Sequence, residues 1–291
     1  MDKTFKWAFI IFFLLLTVIP MTAVYFSEMR RKRLETQVET QDVLASKGIS
    51  APRLENEWNL VPSGVFIMGS NDGGYDERPE RNVRLSSFFI QKYEVMVHEY
   101  MEFVRATSHR SPLKERDNAN RPYFDHPNKP VVYVSWEDAF DYCRWIGGRL
   151  PTEAEWEKAA RGISGRKWPW GNQAQVLFAN FRGDEDHFSY TAPVGSFERD
   201  LSPFGVYDLA GNAREWVSDW YEEDYYLKAP IEDPVGPAQG DNRVLRGGSW
   251  NDTEDSGRTT ARMKMFPDYR DISIGIRCAK DAKGGLANKE Q

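Results

Sequence analysis

From Trp58 to Lys280 few stretches hold a helical period for long, apolar runs are short, and residues that favour turns interrupt them repeatedly. The pattern predicts an α+β domain low in regular secondary structure, its irregular parts tied down by aromatic side chains. The 291 residues are 41% hydrophobic and 14% aromatic. That suffices for one globular domain of roughly 200 to 250 residues plus an N-terminal addition.

Three segments do keep the helical spacing. Val97 to Ala106 places Tyr100, Phe103 and Val104 on one face. Trp136 to Ile146 follows Ser135, a plausible N-cap, and stops at Gly147-Gly148. Thr152 to Arg161 starts after Pro151 and carries Glu155 three residues beyond Thr152, a capping-box pattern. Trp58 to Ser70 reads as two short strands paired across a Pro-Ser-Gly turn.

Ahead of the domain, Trp7 to Phe26 contains no charged residue and is long enough to cross a bilayer as a helix, with Pro20 tolerated as a kink. A retained single-pass anchor is expected; a cleaved secretory signal is the alternative, disfavoured because no small-x-small site follows. The expected organisation is a tail at 1–6, a transmembrane anchor at 7–26, a polar stalk at 27–56, the folded domain at 57–281 and a polar tail at 282–291. A formal net charge of -6 argues against a nucleic-acid partner.

Three motifs carry a family resemblance: Arg149-Leu150-Pro151-Thr152-Glu153-Ala154-Glu155-Trp156-Glu157, Gly211-Asn212-Ala213-Arg214-Glu215-Trp216, and Arg246-Gly247-Gly248-Ser249-Trp250 followed by Gly275-Ile276-Arg277-Cys278-Ala279. Together they resemble the formylglycine-generating enzyme (sulfatase-modifying factor) family, over roughly three quarters of the chain. The resemblance implies a variant of the C-type lectin fold. It also implies two calcium sites: one from Asn180, the Phe181 carbonyl, Asp186 and the Phe188 carbonyl, the other from Asp208, the Gly211 and Ala213 carbonyls and Glu215. Hard oxygen donors of this kind suit calcium; by themselves, the same acids read equally as turn caps.

Cys143 and Cys278 are the chain's two cysteines. The resemblance places them at positions that are disulfide-linked in eukaryotic members, whereas two buried free thiols remain the alternative. A disulfide suits an oxidising compartment and favours an extracytoplasmic, periplasmic domain. Arg30-Arg31-Lys32-Arg33 after the apolar run argues for the opposite orientation.

Family members hold copper with two cysteine thiolates in the loop after Gly-Gly-Ser, as a soft cuprous ion requires. Here those positions carry Asp252 and Gly257. Copper chemistry is therefore not expected, and the four histidines, His98, His109, His126 and His187, form no pattern for iron. No nucleotide or haem motif is present. Ser249, Asp252, Arg214 and Arg262 are the candidate residues of the remaining cleft. Two functions stand against each other. One is a non-catalytic accessory or assembly subunit of a membrane or periplasmic redox or respiratory complex. The other is an extracytoplasmic tailoring or maturation enzyme with a non-cysteine site.

Overall fold

A computed structural model describes residues 55–112, 126–183 and 186–282. All belong to the second of two units into which the chain divides, between Pro52 and Arg53. The expected anchor at 7–26, the basic run 30–33, nearly all of the stalk and the tail beyond 282 lie outside the described residues. Among the described residues no helix is long and apolar enough to cross a membrane.

The unit is mixed α/β, and its described residues form nine short strands in three sheets. Strands β1 (Trp58–Val61), β4 (Phe88–Gln91) and β9 (Ala279–Asp281) form one sheet in the order β1-β4-β9. Strands β2 (Gly64–Met68) and β3 (Arg81–Leu85) form a second. The third runs β7 (Met263–Met265), β6 (Arg243–Arg246), β5 (Arg214–Trp220), β8 (Ile274–Gly275).

The expected pairing of the first two strands is corrected. Val61 of β1 lies opposite Phe88, and Phe66 of β2 opposite Val83, so each strand has another partner. Between them the chain turns around a lysine: Lys158 Nζ donates to the Pro62 carbonyl at 2.7 Å and to the Gly64 carbonyl at 3.0 Å. Satisfying that ammonium with the turn's own carbonyls draws the chain away from a closed hairpin.

All three expected helices form. Helix α1 (Val97–Thr107) buries Val97, Tyr100 and Phe103, one stripe three residues apart. Helix α2 (Trp136–Trp145) is capped by Ser135, whose side chain accepts from the Asp138 amide. Helix α3 (Glu153–Arg161) is capped reciprocally by Thr152 and Glu155. A fourth helix, α4 (Tyr225–Lys228), is a single turn.

Every residue of α3 is buried, including its charges. Glu157 pairs with Arg161 at 2.9 Å and with Arg246 at 2.7 Å, and Glu153 pairs with Arg262 at 2.7 Å. On one side of α3, Val61, Phe66, Val83, Leu85, Phe88 and Ile90 join Trp156 in an apolar cluster. A second cluster contains Tyr100, Tyr142, Trp216, Ile276 and both cysteines. Cys143 and Cys278 are joined, 135 residues apart with Cα atoms 5.5 Å from one another, so the expected disulfide is present. Beside it Arg149 and Ala279 exchange main-chain hydrogen bonds at 2.8 and 2.7 Å, which fastens the end of the domain to its middle.

Candidate functional site

The chain leaves β6 through two left-handed residues, Gly247 at φ +94° and Gly248 at φ +70°. A Cβ on Gly248 would lie 2.9 Å from the main-chain carbonyl carbon of Ser256, so the loop 249–257 closes onto a residue that cannot carry a side chain. β5 supplies Arg214 beside this loop.

Asp252 is held from several directions. Arg214 donates to its Oδ1, and Ser249 Oγ donates to its Oδ2 at 2.7 Å. Arg214 also donates from Nη1 to Ser273 Oγ at 2.7 Å, and Ser273 Oγ to Asp271 at 2.5 Å. The amide of Arg182 donates to the Asp252 carbonyl at 2.8 Å, and its guanidinium to the Asn251 carbonyl. The Arg214 and Asp252 side chains are only 15% and 14% exposed, so the pair is partly desolvated and less screened than a surface ion pair.

Gly257 has no such partner. It packs on the Phe181 ring, so closely that a Cβ would overlap the ring edge, with the Ala210 methyl also within contact distance. At the two positions where the resemblance places copper-binding cysteines, the structure thus has a carboxylate engaged by arginine and a glycine under an aromatic ring. Neither provides a soft thiolate.

Ser249, Asp252 and Arg214 are brought together. Arg262 is not with them. Its side chain is fully buried and clamps Glu153 at 2.7 and 3.0 Å, donates to the Asp76 and Glu222 carbonyls, and lies over the Tyr221 and Tyr226 rings. The acid of α3 captures this cation because the carboxylates buried on this helix require counter-charges.

The two expected calcium sets meet. The Asn212 amide donates to the Asn180 carbonyl at 2.9 Å, and Asn180 Nδ2 donates to Asn212 Oδ1 and to the Tyr190 carbonyl, both at 3.0 Å. These bonds fix the amide so that Asn180 Oδ1, buried and without a hydrogen-bond partner, is left as a bare acceptor. An oriented, orphaned oxygen of this kind fits a hard cation. Asp186 forms a local turn, Oδ1 accepting from the Phe188 amide at 2.9 Å.

In the second set, Glu215 accepts from Arg277 at 2.7 to 3.0 Å and from Trp156 Nε1 at 2.5 Å, while Asp208 Oδ2 accepts from the Gly195 amide at 2.7 Å. Glu94 and Asp200 are buried in the same electrostatic neighbourhood, where the Arg277 guanidinium, paired with Glu215, is the opposing charge. Burial pushes Asp208 up to about 7 and raises Glu94 and Asp200 well above the usual carboxylate range. Asp200 Oδ1 also has no hydrogen-bond partner. This surplus of buried acid fits a divalent cation. Among the described residues no group of three or more His, Cys, Asp or Glu is arranged to hold a metal, so an ion at either set would rely on amide and main-chain oxygens as well.

Among the described residues, short strands in three sheets, four helices and the loop after Gly-Gly-Ser that carries Asp252 make up a domain of the sulfatase-modifying type. The chain belongs to the family of sulfatase-modifying factor enzyme 1-like domains, which matches residues 48–282. It is 35% identical over 288 residues to the formylglycine-generating enzyme of Streptomyces coelicolor, covering 79% of this chain and 91% of that protein. It is also 35% identical over 246 residues to the serine/threonine-protein kinase Pkn1 of Chlamydia trachomatis, covering 79% of this chain but 39% of the kinase. Among solved structures, PvdO from Pseudomonas aeruginosa superposes with a TM-score of 0.68 at 27% identity, over 80% of this chain and all of that one.

Proposed function

We propose that this chain is a membrane-anchored, extracytoplasmic sulfatase-modifying-factor-like domain, a variant of the C-type lectin fold. It has lost the copper-dependent oxidase site and serves as a non-catalytic accessory or assembly subunit of a membrane or periplasmic complex of redox or respiratory type. The observation that carries this reading is the Arg214–Asp252 ion pair at the first cysteine position. It converts the place of a reactive metal ligand into a structural latch, one oxygen of Asp252 on Arg214 and the other on Ser249. In support, the disulfide joins Cys143 to Cys278, and Asn180 Oδ1 and Asp200 Oδ1 are buried acceptors without a hydrogen-bond partner, as a domain that keeps calcium would need. An anchor would raise the local concentration of such a subunit near its complex.

A second reading, a tailoring or maturation enzyme with a non-cysteine site, rests on the convergence of Ser249, Asp252 and Arg214. Against it, both carboxylate oxygens of Asp252 are already engaged, and Ser249 donates its proton to Asp252 with no histidine positioned as a base.

The test is purification of the full-length chain in detergent through a C-terminal tag, with stoichiometric analysis of what co-elutes, in parallel with the Asp252→Ala variant. Fixed membrane or periplasmic partners that depend on the loop 249–258 support the subunit. A monomer that turns over a peptide or small molecule overturns it.

A further inference from the structure

A pocket of about 500 Å³ opens at the N-terminal end of α2 and is lined by none of the residues of the Ser249, Asp252 and Arg214 cluster. Its walls are Trp136, Trp220 and Pro267, and its charged lining comprises His109, three arginines and four carboxylates. One of those carboxylates is saturated: Asp138 accepts from the Ser135 amide at 2.8 Å and also meets His109 at 2.9 Å, Arg110 at 2.5 Å and Arg270 at 3.5 Å. Setting aside Asp138 with His109 and the two arginines it holds leaves Arg243 and, from the same lining, Glu137, Asp141 and Asp268.

Arg243 is held in an unusual way. Its guanidinium carbon sits 3.5 Å from the Trp220 ring centre and 3.8 Å from that of Trp136, a sandwich between two indoles. Trp136 is fixed in turn by Nε1 donating to the Val217 carbonyl at 2.8 Å and by stacking on Phe140. Arg243 Nη1 donates to the Ser218 carbonyl at 2.5 Å, and buried Nε has no partner. Burial pushes this arginine down to about 10, with Asp219 as the opposing charge, yet no carboxylate among the described residues closes an ion pair with it. Most buried guanidiniums in this domain are paired, as Arg246, Arg262 and Arg277 show. A cation held rigid on one pocket wall, with Glu137, Asp141 and Asp268 in the same lining and no ion pair among the described residues to any of the four, is complementary to a ligand that bears both charges.

We propose that this pocket binds a small zwitterion of amino-acid type, its carboxylate on Arg243, its ammonium among Glu137, Asp141 and Asp268, and its apolar side chain against Pro267 and the indole edges. The site is independent of the calcium donors and of the closed loop at Asp252.

The full-length chain in detergent is titrated calorimetrically with L-phenylalanine, with phenethylamine, which lacks the carboxylate, and with 3-phenylpropionate, which lacks the ammonium. L-Phenylalanine is expected to bind at least about tenfold more tightly than either analogue, the effect of one charge-assisted hydrogen bond. Arg243→Met keeps an unbranched stem between the indoles and is expected to weaken L-phenylalanine by about tenfold or more. Because that variant alters a packed residue, Asp268→Lys at the exposed rim provides a second measure: it is expected to weaken L-phenylalanine and to preserve or tighten 3-phenylpropionate. Absence of L-phenylalanine binding to the unaltered chain at about 10 mM, equal binding of all three probes, or indifference to Asp268→Lys overturns the proposal.

Discussion

Arg214 on β5 closes an ion pair with Asp252 in the loop after Gly-Gly-Ser, and with both side chains mostly buried this pair ties the loop to the third sheet. Removing one partner leaves the other charge desolvated. Asp252→Ala is expected to lower stability by about 1–3 kcal/mol, and Arg214→Ala/Asp252→Ala by less than the sum of the single variants. Urea unfolding of the four proteins in the cycle measures the coupling; additive losses would show that the pair does not act as a latch.

Restoring cysteines alone does not restore a copper site. Gly257→Cys drives a side chain into the Phe181 ring, and Asp252→Cys deprives Arg214 of its counter-ion. The double variant is expected to lose about 1–3 kcal/mol from overpacking and to hold no cuprous ion at stoichiometric competition with a chelator. Oxidation of a cysteine-containing peptide by this variant would show that the loop rearranges freely around the new thiols.

Calcium is expected to stabilise the domain by mass action, about 2.7 kcal/mol per site at a hundred times the dissociation constant. Asn180→Ala removes the orphaned Oδ1 without touching Asp208 or Glu215. Metal analysis after dialysis against calcium should fall from two ions per chain to one, and the melting temperature should respond less to chelator. Identical calcium content in both proteins rules Asn180 out as a ligand.

The disulfide spans 135 residues of sequence. Loop-closure entropy for so long a loop gives a loss of about 5 kcal/mol on Cys143→Ser/Cys278→Ser. A loss under about 1 kcal/mol, read from chemical unfolding, would mean that the Arg149 and Ala279 main-chain bonds already hold the two segments together.

The helices were legible because local chemistry marks their ends: Ser135 and Thr152 cap the first turns of α2 and α3 in the structure as their spacing implies. Strand pairing was not legible, since β1 and β2 are adjacent in sequence but find partners in β4 and β3, and nothing local encodes a turn built around Lys158 from α3. Arg262 misled for a related reason. A sequence shows its charge but not Glu153, which takes that charge into the core from more than a hundred residues away. The four-residue spacing of Glu153, Glu157 and Arg161 did place three charges along one face of α3, but solvent is the ordinary expectation for such a face. Only the packing of Arg246 and Arg262 above it makes that face a buried network.

Asp219 gives the domain a dependence on pH with a definite sign. Burial, together with the nearby Glu153 carboxylate, raises it from 3.8 to about 7, although the Glu153 amide at the start of α3 and Ser218 Oγ both donate to it. A carboxyl whose folded pKa lies above its unfolded value binds its proton more readily in the folded state. The stability it contributes is whole below the unfolded value of 3.8 and is lost as pH rises through about 7. Asp219→Asn keeps an acceptor for the Glu153 amide and carries no titrating proton. Its urea midpoint is therefore expected to gain on that of the unaltered protein as the buffer moves from about pH 5 to about pH 8. Parallel midpoints across that range would show that Asp219 remains ionised in its buried site, with the helix N-terminus outweighing the cost of burial.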